Sequence, residues 1–87
     1  MEFIWLEKAI NDAQWFYRND QKAYKKLYRL IEDIKLHPFT GLGKPEPLKH
    51  DWKGWWSRRI TKEHRLIYKV EGDSVRIATI ASCKGHY

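Results

Sequence analysis

All three prolines of this 87-residue chain fall between positions 38 and 47, and that cluster divides it into two parts that fold by different rules. Proline fixes its own φ, lacks an amide donor and biases the residue before it away from the helical region. No helix can therefore run through Pro38, Pro45 or Pro47. Upstream, Leu6, Ile10, Ala13, Phe16 and Tyr17 recur at helical spacing. Asn19-Asp20 interrupts them and suits the cap of a second helix, in which Ala23, Leu27, Leu30, Ile31 and Ile34 form the apolar stripe. Lys22, Lys25, Lys26 and Arg29 lie on its opposite, solvated side, and Pro38 stops it. The spacing predicts an antiparallel helix pair joined by a tight turn.

Downstream of the prolines the period changes to that of strands. Segments 55–60, 64–70 and 74–83 alternate, with Glu71-Gly72-Asp73 as a hairpin signal between the last two. In the middle segment His64, Leu66, Tyr68 and Val70 share one face, and Arg65, Ile67 and Lys69 the other. Met1 to Trp5 is short, apolar and aromatic, which suits a first strand, while His37 to Lys53 has no periodicity and reads as an ordered loop. The order is β-α-α-β-β-β: an α+β fold with two antiparallel helices on one face of a mostly antiparallel, twisted sheet.

At this length residues 1–87 make one domain, burying about two-thirds of the surface of the unfolded chain. A single cysteine excludes a disulfide framework and fits a reducing compartment. The opening MEFIWLEKAIND lacks a basic-then-apolar signal pattern, and no apolar run approaches the ~20 residues of a membrane span. A cytoplasmic protein with no membrane association is the expectation.

A formal net charge of +6 points to a polyanionic partner. Its distribution narrows the site to the stretch from Gly41 to Tyr68. There Lys44, Lys49, Lys53, Arg58, Arg59, Lys62 and Arg65 surround three acids (Glu46, Asp51, Glu63) and share the stretch with Trp52, Trp55 and Trp56. Cations interleaved with aromatics suit backbone neutralisation beside base stacking. Glu46 lies between Pro45 and Pro47, a lone carboxylate on stiff backbone among cations.

Cleaving RNA without a metal requires a base for the ribose 2′-hydroxyl, fixed cations for the phosphorane charge and an acid for the leaving 5′-oxygen. Glu46 fits the base. Arg59 and Arg65, with planar forks, fit the phosphate, Lys44, Lys49 and Arg58 add charge, and His86 fits the acid because imidazole titrates near neutral pH. Cations around a carboxylate weaken it as a base and burial strengthens it. The residues alone therefore leave open whether Glu46 takes the proton or orients another group. They also leave open a plain Glu46–Arg65 salt bridge.

Other readings are weaker. His37, His50, His64 and His86 lack metal-ligand spacing, and one cysteine cannot complete a zinc set, so no metal or other cofactor is expected. Cys83 suits a small buried residue better than a nucleophile. Gly41-Leu42-Gly43-Lys44 lacks the Ser or Thr of a phosphate-binding P-loop. Of the three clustered tryptophans, at least one belongs in a core.

Taken together, GKPEPLKH (43–50), WWSRRI (55–60), EHRLIY (63–68), HPF (37–39) and the closing His86-Tyr87 resemble the YoeB/Txe toxins of bacterial toxin–antitoxin pairs, within the RelE/ParE superfamily. The resemblance implies a ribosome-dependent, metal-independent messenger-RNA endonuclease that cuts A-site codons and leaves a 2′,3′-cyclic phosphate or 3′-phosphate and a 5′-hydroxyl. It implies that Glu46, Arg65, His86 and Tyr87 are catalytic, with Lys49 and Arg59 in support. It further implies a YefM/Phd-type antitoxin whose acidic, disordered tail covers the basic face, and a homodimer is common among such toxins. The alternatives are a non-catalytic ParE-like gyrase inhibitor on the same fold and an RNA-binding module that does not cleave.

Overall fold

The computed structural model describes residues 1–85; His86 and Tyr87 lie outside the described residues. Strand β1 (Glu2–Trp5) leads into helix α1 (Glu7–Asn19) and helix α2 (Gln21–Leu36). Then come β2 (Glu46–Pro47), β3 (Trp56–Arg59), β4 (Arg65–Glu71) and β5 (Ile77–Ser82). The five strands form one open sheet in the order β1-β5-β4-β3-β2, with β1 parallel to β5 and every other pair antiparallel. Both helices pack on one face.

The two helices meet at Asp20, whose carboxylate accepts from the Ala23 amide at 3.0 Å and caps α2. The stripe of α2 is buried as its spacing predicts: Ala23, Leu27, Leu30, Ile31 and Ile34 all enter the core. There they meet Leu66, Tyr68 and Ile80 of the sheet, each large apolar side chain contributing about 1.5–3 kcal/mol by its burial. The stripe of α1 is rotated from the expected one. Ala9, Asp12, Ala13 and Phe16 are buried, whereas Leu6, Ile10 and Tyr17 are exposed. Small Ala9 allows the helix close to the end of β5, and Asp12 is tolerated there because backbone amides satisfy its carboxylate.

The sheet has one strand more than the sequence predicts. Within the loop 37–53, Glu46 and Pro47 pair with Ser57 and Trp56, and the Leu48 amide donates to Trp55 O at 2.9 Å. Pro47 can stand here because β2 is an edge, where a missing donor interrupts no further ladder. Next to it, His50–Trp52 forms a single 3-10 turn. Gly43 lies so close to the sheet that a Cβ would stand 2.8 Å from Leu30 Cδ2 and 3.1 Å from Arg59 O, at a φ of +79°. No helix of the described residues is long and apolar enough to cross a membrane.

Candidate active site

Register places the candidate residues on one face. In antiparallel pairs, directly opposed residues point the same way, and Glu46 opposes Ser57 while Arg59 opposes Arg65. Ser57 and Arg59 are two apart on β3, so Glu46, Ser57, Arg59 and Arg65 share the face turned away from the helices. The opposite face carries Leu66 and Tyr68, fully buried against the helices. Ser57 and Ile67 close the floor of the open face, at 3% and 2% exposure, beneath longer charged neighbours.

Among the described residues no ion pair involves Glu46, Lys44, Lys49, Arg59 or Arg65, so the Glu46–Arg65 salt bridge is not formed. Arg65 is half-buried. Its Nη1 donates to Thr61 O at 2.8 Å and, more weakly, to the carbonyls of Lys62 and His64. These bonds fix one edge of the guanidinium and leave Nε and Nη2 without an acceptor among the described residues, a fork available to a phosphate. Lys44 precedes the proline-bracketed glutamate at a φ of +53°, and His50 follows it at +59°. Two non-glycine residues in the left-handed region on either side of Glu46 mark this loop as held in a costly conformation.

Arg58 is a correction. The sequence groups it with the phosphate-binding cations, but alternation turns it inward, opposite Leu66, and it is fully buried. Its Nε donates to Tyr68 Oη at 3.0 Å, and Nη1 donates to Asp33 Oδ2 at 2.6 Å and to Leu42 O at 3.0 Å. Nη2 donates to the carbonyls of His37 and Thr40. Asp33 also accepts from the Leu42 amide, and Tyr68 Oη donates to Pro38 O at 2.7 Å. Arg58 therefore fastens the loop before Glu46 to the sheet and has no donor to offer RNA.

Burial pushes the Asp33 carboxyl upward, but the hydrogen bonds from Arg58 and the Leu42 amide, with the Arg58 charge, outweigh it and hold it below its ordinary value. For Tyr68 burial prevails over Arg58, and its phenol is raised.

The tryptophans divide. Trp56 packs against the core and beside Phe39, with ring centroids 4.9 Å apart. Trp55 lies on the open face under the Lys69 ammonium at 4.8 Å, and the exposed Trp52 meets it edge-on at 5.4 Å. Cys83 is buried, as expected, its thiol pushed up to about 12 by burial and then by the Asp12 carboxylate. Among the described residues no group of three or more His, Cys, Asp or Glu is arranged to hold a metal ion.

The proposed acid, His86, and Tyr87 lie outside the described residues, but the segment leading to them is fixed. The Arg65 amide donates to Gly85 O at 3.0 Å, and the Gly85 amide donates to His64 Nδ1 at 2.9 Å. Sequence reading missed His64, Asp12 and Asp33 as organising residues. For Asp12 a signal was present: it lies between Ala9, Ala13 and Phe16 on a helical wheel, a charge inside a small-residue stripe.

An open sheet with two helices on one face, and Glu46, Arg59 and Arg65 without ion-pair partners among the described residues on the other, defines a small α+β domain. Comparison with known proteins gives the family. Residues 5–87 match the family described as YoeB-like toxin of bacterial type II toxin-antitoxin system. Toxin YoeB of Escherichia coli (strain K12) is 48% identical over 87 residues, covering 100% of both chains. The structure of a YoeB/ParE toxin from Agrobacterium tumefaciens superposes with a TM-score of 0.95 at 42% identity, covering 100% of each chain. YoeB from Staphylococcus aureus, solved as a dimer, superposes at 0.89 with 40% identity, covering 100% of this chain and 98% of that one. The same protein in a heterotetrameric YoeB–YefM complex superposes at 0.87, again with 40% identity and the same coverage. The chain belongs to the YoeB-like toxins of bacterial type II toxin–antitoxin systems.

Proposed function

We propose that this toxin is an endoribonuclease that cuts messenger RNA in the ribosomal A site by attack of a ribose 2′-hydroxyl on the adjacent phosphate. The observation that carries the reading is the shared open face of Glu46, Arg59 and Arg65, with none of the three neutralised by a partner among the described residues. In the reaction Glu46 accepts the 2′-hydroxyl proton as the 2′-oxygen bonds to phosphorus. Arg65 and Arg59 hold the non-bridging oxygens as charge builds on them, and the 5′-oxygen departs with a proton from His86, beside Tyr87. The products are a 2′,3′-cyclic phosphate and a 5′-hydroxyl. Lys44 and Lys49 steer the RNA backbone, and Trp52 with Trp55 offers a stacking surface beside it. The ribosomal setting comes from the family resemblance carried by GKPEPLKH and EHRLIY.

A YefM/Phd-type antitoxin is the proposed partner and a homodimer the proposed assembly, as in the Staphylococcus aureus structures. The unpaired edge of β1 and the exposed Ile4, Leu6 and Ile10 beside it give such a chain a place to dock. Primer-extension mapping on translated messages tests the activity. Wild-type protein is expected to cut within A-site codons, and Arg65→Ala to lower the rate about 100-fold or more. Undiminished cutting by that variant would remove the proposed site.

A further inference from the structure

The segment that follows β5 is tied down by two side chains that no part of the proposed chemistry uses. Beyond β5 the backbone crosses α1 as a short strap, Cys83–Gly85. Asp12 Oδ2, in the buried stripe of α1, accepts from the Cys83 amide at 3.1 Å, the Lys84 amide at 3.2 Å and Lys8 Nζ at 2.8 Å. One turn on, the ring of His64 meets the edges of Phe16 and Trp15, with centroids 5.2 and 6.4 Å away. Its Nδ1 receives the Gly85 amide. That bond requires Nδ1 to be bare, so the ring carries its hydrogen on Nε2. The Lys84 ammonium closes over Trp15 at 4.5 Å. Thus Lys8, Asp12, Trp15 and Phe16 of α1, together with His64, form a cradle for three residues of backbone. The Gly85 peptide is held on both sides, its amide by His64 and its carbonyl by the Arg65 amide.

The consequence lies in Arg65. This residue turns its guanidinium to the open face and, with its own amide, grips the residue before His86. Gly85 has a φ of +89°, a left-handed turn that most residues avoid, so the strap's last described residue is held by backbone conformation and bonds together. We propose that Asp12 and His64 are positioning residues for the chemistry at the chain's end. They fix the Gly85 peptide against the Arg65 amide, the last described point before the proposed acid. Their effect on cleavage rests on the endonuclease reading; their effect on the strap does not.

The experiment uses the full chain and separates the two. Amide hydrogen exchange followed by NMR reads the strap directly. Asp12→Ala and His64→Leu are expected to speed exchange at Cys83, Lys84 and Gly85, and at the Arg65 amide bonded to the strap, about tenfold or more while the amides of β4 beyond Arg65 keep their protection. Should Asp12→Ala not fold, Asp12→Asn keeps the shape, weakens the acceptor and gives the same reading. Long-range proton–nitrogen spectra of wild-type His64 are expected to show the Nε2–H form. Single-turnover cleavage on programmed ribosomes is expected to slow about 10–100-fold, a displacement of reacting groups, with half-saturation moved by no more than about twofold. His64→Asn, whose side-chain oxygen can stand where Nδ1 does, is expected to regain much of the rate that His64→Leu loses. Wild-type protein that leaves translated messages intact sinks the endonuclease reading. Strap amides that exchange unchanged in the variants, or a strap set free with no loss of rate, sink this one.

Discussion

The two ends of the candidate site are fastened in opposite ways. The loop that carries Glu46 is held by a fully buried guanidinium whose acceptors are Tyr68, Asp33 and three backbone carbonyls. The strap that leads to His86 is held by one buried carboxylate oxygen and, where it is only half-buried, by one imidazole nitrogen and one amide. A desolvated charge must keep its partners or the fold suffers. A few bonds to a short strap can break while Leu27, Leu30, Ile34, Leu66 and Ile80 stay packed. The loop is therefore a matter of stability and the strap a matter of geometry, although both serve one face.

The sharpest way to break this contrast is Arg58→Ala. It strands Asp33, the Tyr68 hydroxyl and the carbonyls of His37, Thr40 and Leu42. A loss of about 3–5 kcal/mol in urea unfolding is expected, enough to abolish folding of a marginal domain. Arg58→Lys keeps the charge without the fork and is expected to fall between. If Arg58→Ala folded normally and lost only activity, Arg58 would be a site residue after all.

Acid is the next probe of the loop. Asp33 is held below its ordinary value in the fold, so on acidification the unfolded chain takes up this proton first. The stability it contributes is complete above pH about 4, the ordinary aspartate range, and is lost as pH falls through the folded value. Unfolding free energy measured from pH 7 to pH 2 is expected to drop at the acid end, and Asp33→Asn to flatten that drop while lowering the neutral plateau. Parallel profiles for the two proteins would remove Asp33 from the account.

What the sequence made legible follows the same division. The stripe of α2, the inward Leu66 and Tyr68, and the strands of the meander could be read because repeated apolar spacing reports a buried face. Alternation along each strand could be read, but the shared face of Arg59 and Arg65 needed the register between β3 and β4, which only the structure gives. Arg58 could not be placed by charge, since a basic residue looks the same whether it meets solvent or a hidden aspartate far along the chain; its inward phase on β3 was the better guide. Strand β2 was hidden because two residues, one of them a proline, give no periodicity, and only the opposite strand defines them. Asp12 and His64 were passed over because the partners that tie them to the strap are backbone amides, which carry no residue-specific signal.

A smaller effect is expected at the strap. Asp12→Asn should lower global stability by only about 1 kcal/mol, the scale of a weakened hydrogen-bond set. Cys83 reports the local change. Its thiol, pushed up to about 12 by burial and by Asp12, is expected to resist labelling by a disulfide reagent at pH 8 in the native protein. Loosening the strap is expected to speed labelling by more than the change in global stability allows. Labelling that merely tracks global unfolding would mean that strap and core open as one unit, and the contrast drawn above would fail.

The smallest expected effect has the opposite sign. Lys44 holds a φ of +53°, where a residue with a Cβ carries about 1 kcal/mol or more of strain. Lys44→Gly removes that strain but gives the unfolded chain more freedom, about 0.5–1 kcal/mol of compensation. The net change is a gain of at most about 1 kcal/mol, read as a small rise in the urea midpoint. Yet the variant also deletes a cation next to Pro45 and Glu46, so cleavage is expected to weaken and its salt dependence to become shallower. A loop that grows more stable as it grows less active is what the comparison requires. There the Arg58 network holds a strained backbone in place so that a charge can stand where the proposed RNA substrate would arrive. If Lys44→Gly left cleavage and its salt dependence untouched, the strain would have no functional counterpart, and the loop would be held for the sake of Glu46 alone.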